Sequence, residues 1–385
     1  MKYQVTIRTI TPLHIGDGET LIKDYDFYSN IKSGETYILN QDAIYGHEFE
    51  SQGAKARLEV PAARLLSADK FHSSSPYVRY VIKGATDKNV FAQQIKDVYG
   101  NAYIPGSSLK GAIRTALMAY AINKGIYKPR KDNLGSGEKY AAQNWEKEFF
   151  GDDPNHDWLR VLLVSDSAPP ASVPSPFVLI NARVETGDNK GSPVVVEAID
   201  RKINFQTEIT IDELALKMAD KHPNELDWEK AKFFFVNLIP ILKEISKKRI
   251  ALELAAAKAK GLIEMENHYN QMQSLLAKTR EENIAFIQMG WGTGWTGTTI
   301  GPWLEEGLSN EIRQRFELGK PPTAPRSWEP NLKKPFPQSR RLQMMGGAPG
   351  KPLGWVMLSF TEMDRPSKAW LEMKSKWSKS YTAAS

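Results

Sequence analysis

Along the first ten residues Tyr3, Val5 and Ile7 alternate with Gln4, Thr6 and Arg8, a period of two that predicts a strand with one buried and one polar face. A second extended pair is expected at Leu21 to Tyr28 and Glu35 to Leu39, joined by the turn residues Asn30-Ile31-Lys32-Ser33-Gly34. Helical material is expected from about Gln41 to Leu66, with Pro61 as a start or a break. The most legible helix follows Pro105-Gly106, where Leu109, Ala112, Ile113, Ala116, Leu117 and Tyr120 recur at helical spacing. Ser107 or Ser108 stands where a side chain can cap its first turn, and Lys110 and Arg114, four apart, share the opposite surface. A polar, glycine-containing excursion from Lys128 to Lys139 leads to a short helix around Asn144 to Phe150.

Extended segments resume at Arg160 to Ser165, Phe177 to Val184, Val194 to Ile199 and Ile203 to Ile211, separated by loops at 169–176 and 187–193. From about Asp212 to Ile284 the period changes to that of a helix, with Phe234, Leu238, Ile241, Leu242 and Ile245 in register. Pro240 predicts a kink there, Gly261 a break before a helix holding Asn267 to Arg280, and Lys243, Lys247, Lys248 and Arg249 a charged, solvated face. A strand at Ala285 to Met289 and a short helix at Trp303 to Phe316 follow. Helix, then strands, then hairpins argues for an α+β sheet domain rather than regular βαβ winding. The expected organisation is an N-terminal α+β domain over 1–211, a helical insertion over 212–284 and a C-terminal segment over 285–385 with a glycine-rich loop and a closing strand.

Two constellations carry chemistry. In the first, Lys110 and Arg114 lie at a helix start whose free N–H groups favour an anion, so a phosphate suits the corner made with Gly106, Ser107, Ser108 and Gly111. The same pattern also describes an ordinary solvent-facing helix. It is not a P-loop, because Gly111 is followed by Ala112 and Ile113 rather than Lys-Ser/Thr. In the second, Gly290-Trp291-Gly292-Thr293-Gly294-Trp295-Thr296-Gly297 contains a formal GxGxxG. A dinucleotide site needs a second parallel strand after it, and the prolines 321, 322, 325, 330, 335 and 337 cannot form a buried one. Alternatively, the glycines admit a ribose-phosphate chain, Trp291 and Trp295 offer stacking faces or core anchors, and Arg340 and Arg341 supply cations beyond the proline-rich segment.

Net charge is +6 with a pI near 9.1, which suits a polyanion without requiring one. The absence of cysteine removes disulfides, thiolate nucleophiles and cysteine zinc sites, and makes the cytoplasm the expected compartment. No apolar run approaches a bilayer-spanning length, so no membrane partner is expected. His47, His72, His156, His222 and His268 show no metal-ligand spacing, and neither metal nor cofactor is expected.

"IPGSSLKGAIRTAL" from Ile104 resembles the signature of the RAMP superfamily, the RNA-binding proteins of CRISPR effector complexes. "TPLHIGDGE" at Thr11 to Glu19, "VSDS" at Val164 to Ser167 and "WGTGWTGTTIG" at Trp291 to Gly301 resemble further landmarks in the expected order. "FPQSRRL" at Phe336 to Leu342 and "PLGWVML" at Pro352 to Leu358 are similar to the Csm-type subunits at the 3′ end of the guide RNA in type III-A complexes. The resemblance implies a ferredoxin-like, RRM-like core with loop excursions. It also implies guide CRISPR RNA, target RNA and neighbouring RAMP subunits as partners, with host nucleases that trim the guide admitted to its end. RNA-contact candidates are His14, Gly106, Ser107, Ser108, Lys110, Gly111, Arg114, Gly292, Thr293, Gly294, Trp295, Arg340 and Arg341. No catalytic residue is assigned. Asp24 and Asp26, spaced for one strand face, sit in "KDYDFYS", which resembles the non-cleaving end subunits rather than those that cut target RNA. Two rivals remain open: a metal-independent endoribonuclease acting on repeat RNA through His14, and a nicotinamide-dependent oxidoreductase using the glycine loop.

Overall fold

A computed structural model describes residues 1–171, 173, 175–185, 191–218, 228–278, 283–321 and 324–384. In chain order the strands are β1 Lys2–Thr9, β2 Gly16–Ile22, β3 Phe27–Asn30, β4 Glu35–Leu39, β5 Val78–Lys83, β6 Val90–Gln94, β7 Leu162–Val164, β8 Phe177–Glu185, β9 Val194–Ile199, β10 Asn204–Ile211, β11 Ile284–Gln288, β12 Arg340–Met345, β13 Ala348–Pro352 and β14 Trp355–Glu362. The helices are α1 Gln41–Gln52, α2 Gly106–Asn123, α3 Gln143–Phe150, α4 Glu213–Met218, α5 Trp228–Val236, α6 Leu238–Ala259, α7 Ile263–Lys278, α8 Gly294–Thr298, α9 Glu306–Arg315 and α10 Lys368–Ala384.

The first sheet runs β11-β14-β1-β10-β7, with every pairing antiparallel. Taken with the helices between them, β1, α2, β7, β10, α6 and β14 form a βαββαβ unit whose strands lie in the spatial order 4-1-3-2. That is the ferredoxin-like core, with β11 added outside the closing strand. Tyr3, Val5 and Ile7 of β1 face inward, as their alternation predicts, while Gln4 and Arg8 face solvent. Against the buried face pack Leu109, Ile113 and Leu117 of α2 and Ile241 and Ile245 of α6.

The excursions from this core meet in a second sheet. Its path is β2-β6-β9-β8-β5-β4-β3, with β12 pairing β8 and β13. Its strands come from three connections of the core: between β1 and α2, between β7 and β10, and just before β14. Inside it, Lys96 reaches the Glu197 carboxylate at 2.7 Å, both side chains almost wholly buried, above the rings of Tyr80 and Phe177.

Several expectations need correction. Leu21 to Tyr28 is not one strand: the chain turns at residues 23–26, with Asp24 at φ +69° and the Asp26 carboxylate accepting the Ile22 N–H. Asp24 and Asp26 are therefore turn residues, not neighbours on a strand face. The helix after Gln41 ends at Gln52 because Gly53 reverses the chain at φ +54°, and only short 3₁₀ turns continue to Arg64. The strand expected at Arg160 to Ser165 is confined to Leu162–Val164, since residues 158–161 form a 3₁₀ turn. Pro240 does not kink a helix but occupies the first turn of α6, where its missing N–H breaks no bond. Arg249 is not on a solvated face; it is buried on α6 beside Glu253. Gly261, at φ +63°, separates α6 from α7 as expected. The loop at 187–193 is described only from 191, that at 169–176 lacks 172 and 174, and His222 and the end of the helix expected to reach Arg280 fall outside the described residues.

Candidate functional site

The signature helix is anchored by the segment that follows β7 rather than by its own serines. Neither Ser107 nor Ser108 caps α2; instead the Gly106 N–H donates to the Asp166 carboxylate at 2.7 Å, and the Ile104 N–H donates to Ser167 Oγ at 2.8 Å. A carboxylate at a helix N-terminus satisfies its orphan amides and its dipole together. The corner expected to hold a phosphate thus already holds an anion of the protein itself. Gly106 is required for another reason: a Cβ there would lie 2.2 Å from the Val164 carbonyl oxygen.

Arg114 is also committed. Its guanidinium pairs with Glu146 at 3.1 Å and Asp157 at 2.5 Å, and lies 3.9 Å above the Phe150 ring. Lys110 is half-buried; desolvation lowers its pKa, against the raising influence of Asp157. Of the two cations read from this helix, only Lys110 has no ion-pair partner among the described residues.

His14 lies beneath the surface, 3% exposed. Its Nδ1 donates to the Glu197 carbonyl at 2.6 Å, because a carbonyl oxygen can only accept, and its ring meets Trp291 edge-on at 5.7 Å. Burial lowers its pKa, with the Glu197 hydrogen bond acting against that. Its backbone carbonyl receives the Trp291 N–H at 2.8 Å. Gly290, at φ +82°, passes so close that a Cβ would sit 2.5 Å from the same oxygen. His14 therefore joins the first loop to the glycine loop and presents no ring to a ligand from outside.

The glycine loop itself rises from β11, turns through Gly290, Gly292 and Gly294, all at positive φ, and enters the one-turn α8. β11 is antiparallel to β14, its one described neighbour in the sheet, so a dinucleotide-binding βαβ unit is not formed here. Thr293 is buried and its hydroxyl donates to the Gly290 carbonyl, so it braces the turn instead of facing a ligand. Trp295 packs edge-to-face on Phe336 at 5.1 Å, an anchor more than a platform.

Here the sequence's scattered candidates converge. Gly292, Thr293, Gly294 and Trp295 face Arg340 and Arg341 across a cleft of about 410 Å³, floored by Gln288 and Glu253. Arg340 is not a free cation: its Nε donates to Glu253 Oε2 at 2.8 Å and its Nη1 to the Pro337 and Ser339 carbonyls. Arg341 differs. It stacks over Trp291 at 4.3 Å, and among the described residues it has no carboxylate partner. Desolvation lowers its pKa, yet a guanidinium stays charged at any working pH. Among the described residues no hydrogen bond joins the corner at Ser107 to Arg114 with this loop.

Sequence reasoning missed Gln288 and Glu253. The signal for Glu253 was present in the stripe Arg249, Ile250, Glu253, Leu254 and Ala257, where two charged residues share helical spacing with buried apolar ones. Nothing in the strand Ile284–Gln288 marks Gln288.

The RAMP superfamily model matches residues 6–296. The chain belongs to the RAMP superfamily. Among RAMP relatives, it is 24% identical over 386 residues to the CRISPR system Cms protein Csm5 of Methanocaldococcus jannaschii, covering 93% of this chain and 89% of that protein. It is 31% identical over 134 residues to the Streptococcus thermophilus protein of the same name, covering 30% of this chain and 38% of that one. Its RAMP fold also matches a chain of a Csm–crRNA–target RNA ternary complex from a type III-A CRISPR–Cas system, with TM-score 0.63, 22% identity and 93% and 100% coverage of the two chains. The crystal structure of T. onnurineus Csm5 matches with TM-score 0.57 and 22% identity over 91% of this chain and 99% of that one. Among the described residues no helix is long and apolar enough to cross a membrane.

Proposed function

We propose that this RAMP protein is a non-catalytic, guide-RNA-binding subunit of a type III-A CRISPR effector complex, seated at the 3′ end of the guide. The observation that carries the RNA-binding part is Arg341: a guanidinium without a carboxylate partner among the described residues, stacked on Trp291, at a cleft walled by a glycine-rich loop. That combination offers phosphate contact and close backbone approach in one place. Membership of the RAMP superfamily and similarity to proteins named Csm5 along nearly the whole chain support the assembly part. In this reading target RNA and neighbouring RAMP subunits are further partners, and nucleases that trim the guide reach its end beside this subunit.

A passive role agrees with the state of His14, whose ring is buried, hydrogen-bonded to Glu197 and packed on Trp291. An endoribonuclease needs a proton-transfer group that reaches the scissile phosphate. Incubating the purified protein with repeat RNA in chelator separates the readings. Intact RNA, bound with an affinity that falls steeply with salt, is the expected result. Metal-free cleavage that disappears in His14→Ala would establish the enzyme instead.

A further inference from the structure

The two most exposed large apolar side chains among the described residues are neighbours. Val98 is 93% exposed and Tyr99 87%, and the next, Ile263, reaches only 69%. Single apolar residues scattered over a surface need no explanation, but two adjacent ones lifted almost wholly into water do. They stand on a turn that holds them there. The Asp97 carboxylate accepts the Tyr99 N–H at 2.9 Å, the Asn101 N–H at 2.8 Å and the Asn101 side-chain amide at 3.0 Å. The Asp97 N–H donates to the Asn101 carbonyl at 3.0 Å, and Gly100, at φ +81°, closes the turn. Its root is equally fixed, because Lys96 before it pairs with Glu197 in the interior and Ala102 and Ile104 after it are buried. None of these bonds uses the side chain of Val98 or Tyr99, so the turn displays two apolar groups that the fold itself does not pack.

The charge around the turn says what covers them. Val98 and Tyr99 wall a cleft of about 990 Å³, and Pro169 and Pro170 extend its apolar rim. Asp17, Asp26 and Asp97 line the same cleft, and none of the three has an ion-pair partner among the described residues. The two cations that line it are both matched: Lys96 by Glu197, and Arg79 by Asp42 at 3.7 Å. An apolar knob in an acidic setting repels an RNA backbone and suits a protein surface with an apolar socket and a cationic rim. Tyrosine is a common anchor of such contacts, and a turn already locked in shape loses little freedom on docking. Resting on the assembly reading above, we infer that the turn at 97–101 docks this subunit on a neighbouring RAMP subunit, with Val98 and Tyr99 entering an apolar socket rimmed by lysine or arginine. Neither residue lines the Arg341 cleft, so this contact and the proposed RNA contact are made by different side chains.

The test compares the full chain with a double variant, Val98→Ser with Tyr99→Ser, in which every bond of the turn remains possible. Each is purified from the native host through a tag on this chain, and the assembly is weighed by native mass spectrometry. The double variant should recover about tenfold less sibling RAMP subunit than the parent, the loss expected of one interface anchor. Its urea midpoint and its affinity for guide RNA, measured on the isolated chain, should equal those of the parent. A second variant, Tyr99→p-benzoylphenylalanine, irradiated within the assembly, should crosslink to a sibling RAMP subunit at a peptide containing lysine or arginine. Undiminished recovery of siblings by the double variant overturns the inference. Crosslinks from position 99 to RNA, or to a second copy of this chain, overturn it as well. A double variant that unfolds at lower urea than the parent overturns the reading of these side chains as unpacked. A parent chain that itself recovers no sibling subunit overturns the assembly reading on which the inference rests.

Discussion

Gly106 and Gly111 stand five residues apart in one motif, yet alanine should act on them with opposite sign. At Gly106 a Cβ would lie 2.2 Å from the Val164 carbonyl oxygen and 2.8 Å from the Ser165 carbonyl carbon and oxygen, all backbone atoms. Relief requires the start of α2 to move away from the end of β7, which also stretches the 2.7 Å bond from the Gly106 N–H to Asp166. Overpacking of this kind costs about 1–3 kcal/mol. Loss of a hydrogen bond to a charged group adds about 1.5–3 kcal/mol. Gly106→Ala should therefore destabilise by roughly 2.5–6 kcal/mol. At Gly111, exposed within α2, nothing lies within 4 Å of the added methyl. Alanine there should stabilise by about 0.5–1 kcal/mol, since glycine is the poorer helix former. Urea unfolding followed by circular dichroism reads both as shifts of the midpoint at constant m. A Gly106→Ala protein as stable as the parent would refute the packing argument, and a destabilised Gly111→Ala would refute the reading of that position as open helix surface.

The adjacent arginines should separate in the same way. Arg340→Met strands the buried Glu253 carboxylate and should cost about 3–5 kcal/mol in urea unfolding. Arg341→Met should leave the midpoint nearly unchanged while weakening RNA binding and reducing the slope of log affinity against log salt by about 1. Lys96→Met takes the ion-pair partner from Glu197, whose carboxyl burial already pushes up, and should cost a similar ~3–5 kcal/mol as the pair is broken and the carboxyl takes up a proton, whereas Lys83→Met, at an exposed pair with Asp200, should change stability by less than about 1 kcal/mol. Burial, aided by Lys351, holds the His268 imidazole at about 4, below its ordinary 6.5. Its ring stays neutral in the fold while the unfolded chain takes up a proton, so stability should fall as pH drops from 6.5 to about 4, by up to about 3 kcal/mol. His268→Leu should remove that share of the slope in unfolding curves taken at intervals of pH.

Much of the core was written in short-range pattern. The alternation in β1 predicts its buried face, and the stripe of α2 predicts most of its own, though Ala112 is only half-buried and the end of the helix is buried all round at Met118, Ala119 and Ala121. What failed was whatever depended on a distant partner. Asp166 replaces the serine cap of α2 from sixty residues away, and Glu146 and Asp157 take up the charge of Arg114. No local pattern distinguishes a free arginine from a paired one. The same holds at the start of β12, where Arg340 and Arg341 are adjacent in sequence but face opposite fates: one turns toward Glu253 on α6, the other onto Trp291. His14 looked available because its neighbours are Gly16 and Gly18, yet Gly290 and Glu197, both remote in sequence, enclose it.

We propose that this RAMP chain works inside a guide ribonucleoprotein with its Arg341 cleft on the RNA. The most direct measurement is to purify a tagged copy from its native host after ultraviolet crosslinking, identify co-purifying proteins by mass spectrometry, and sequence the RNA joined to it. The predicted result is guide RNA carrying repeat sequence, sibling RAMP subunits, and crosslinks from the guide's 3′ portion to peptides containing Trp291 or Arg341. A protein recovered without RNA or sibling subunits, or one crosslinked only through surfaces remote from that cleft, would contradict it.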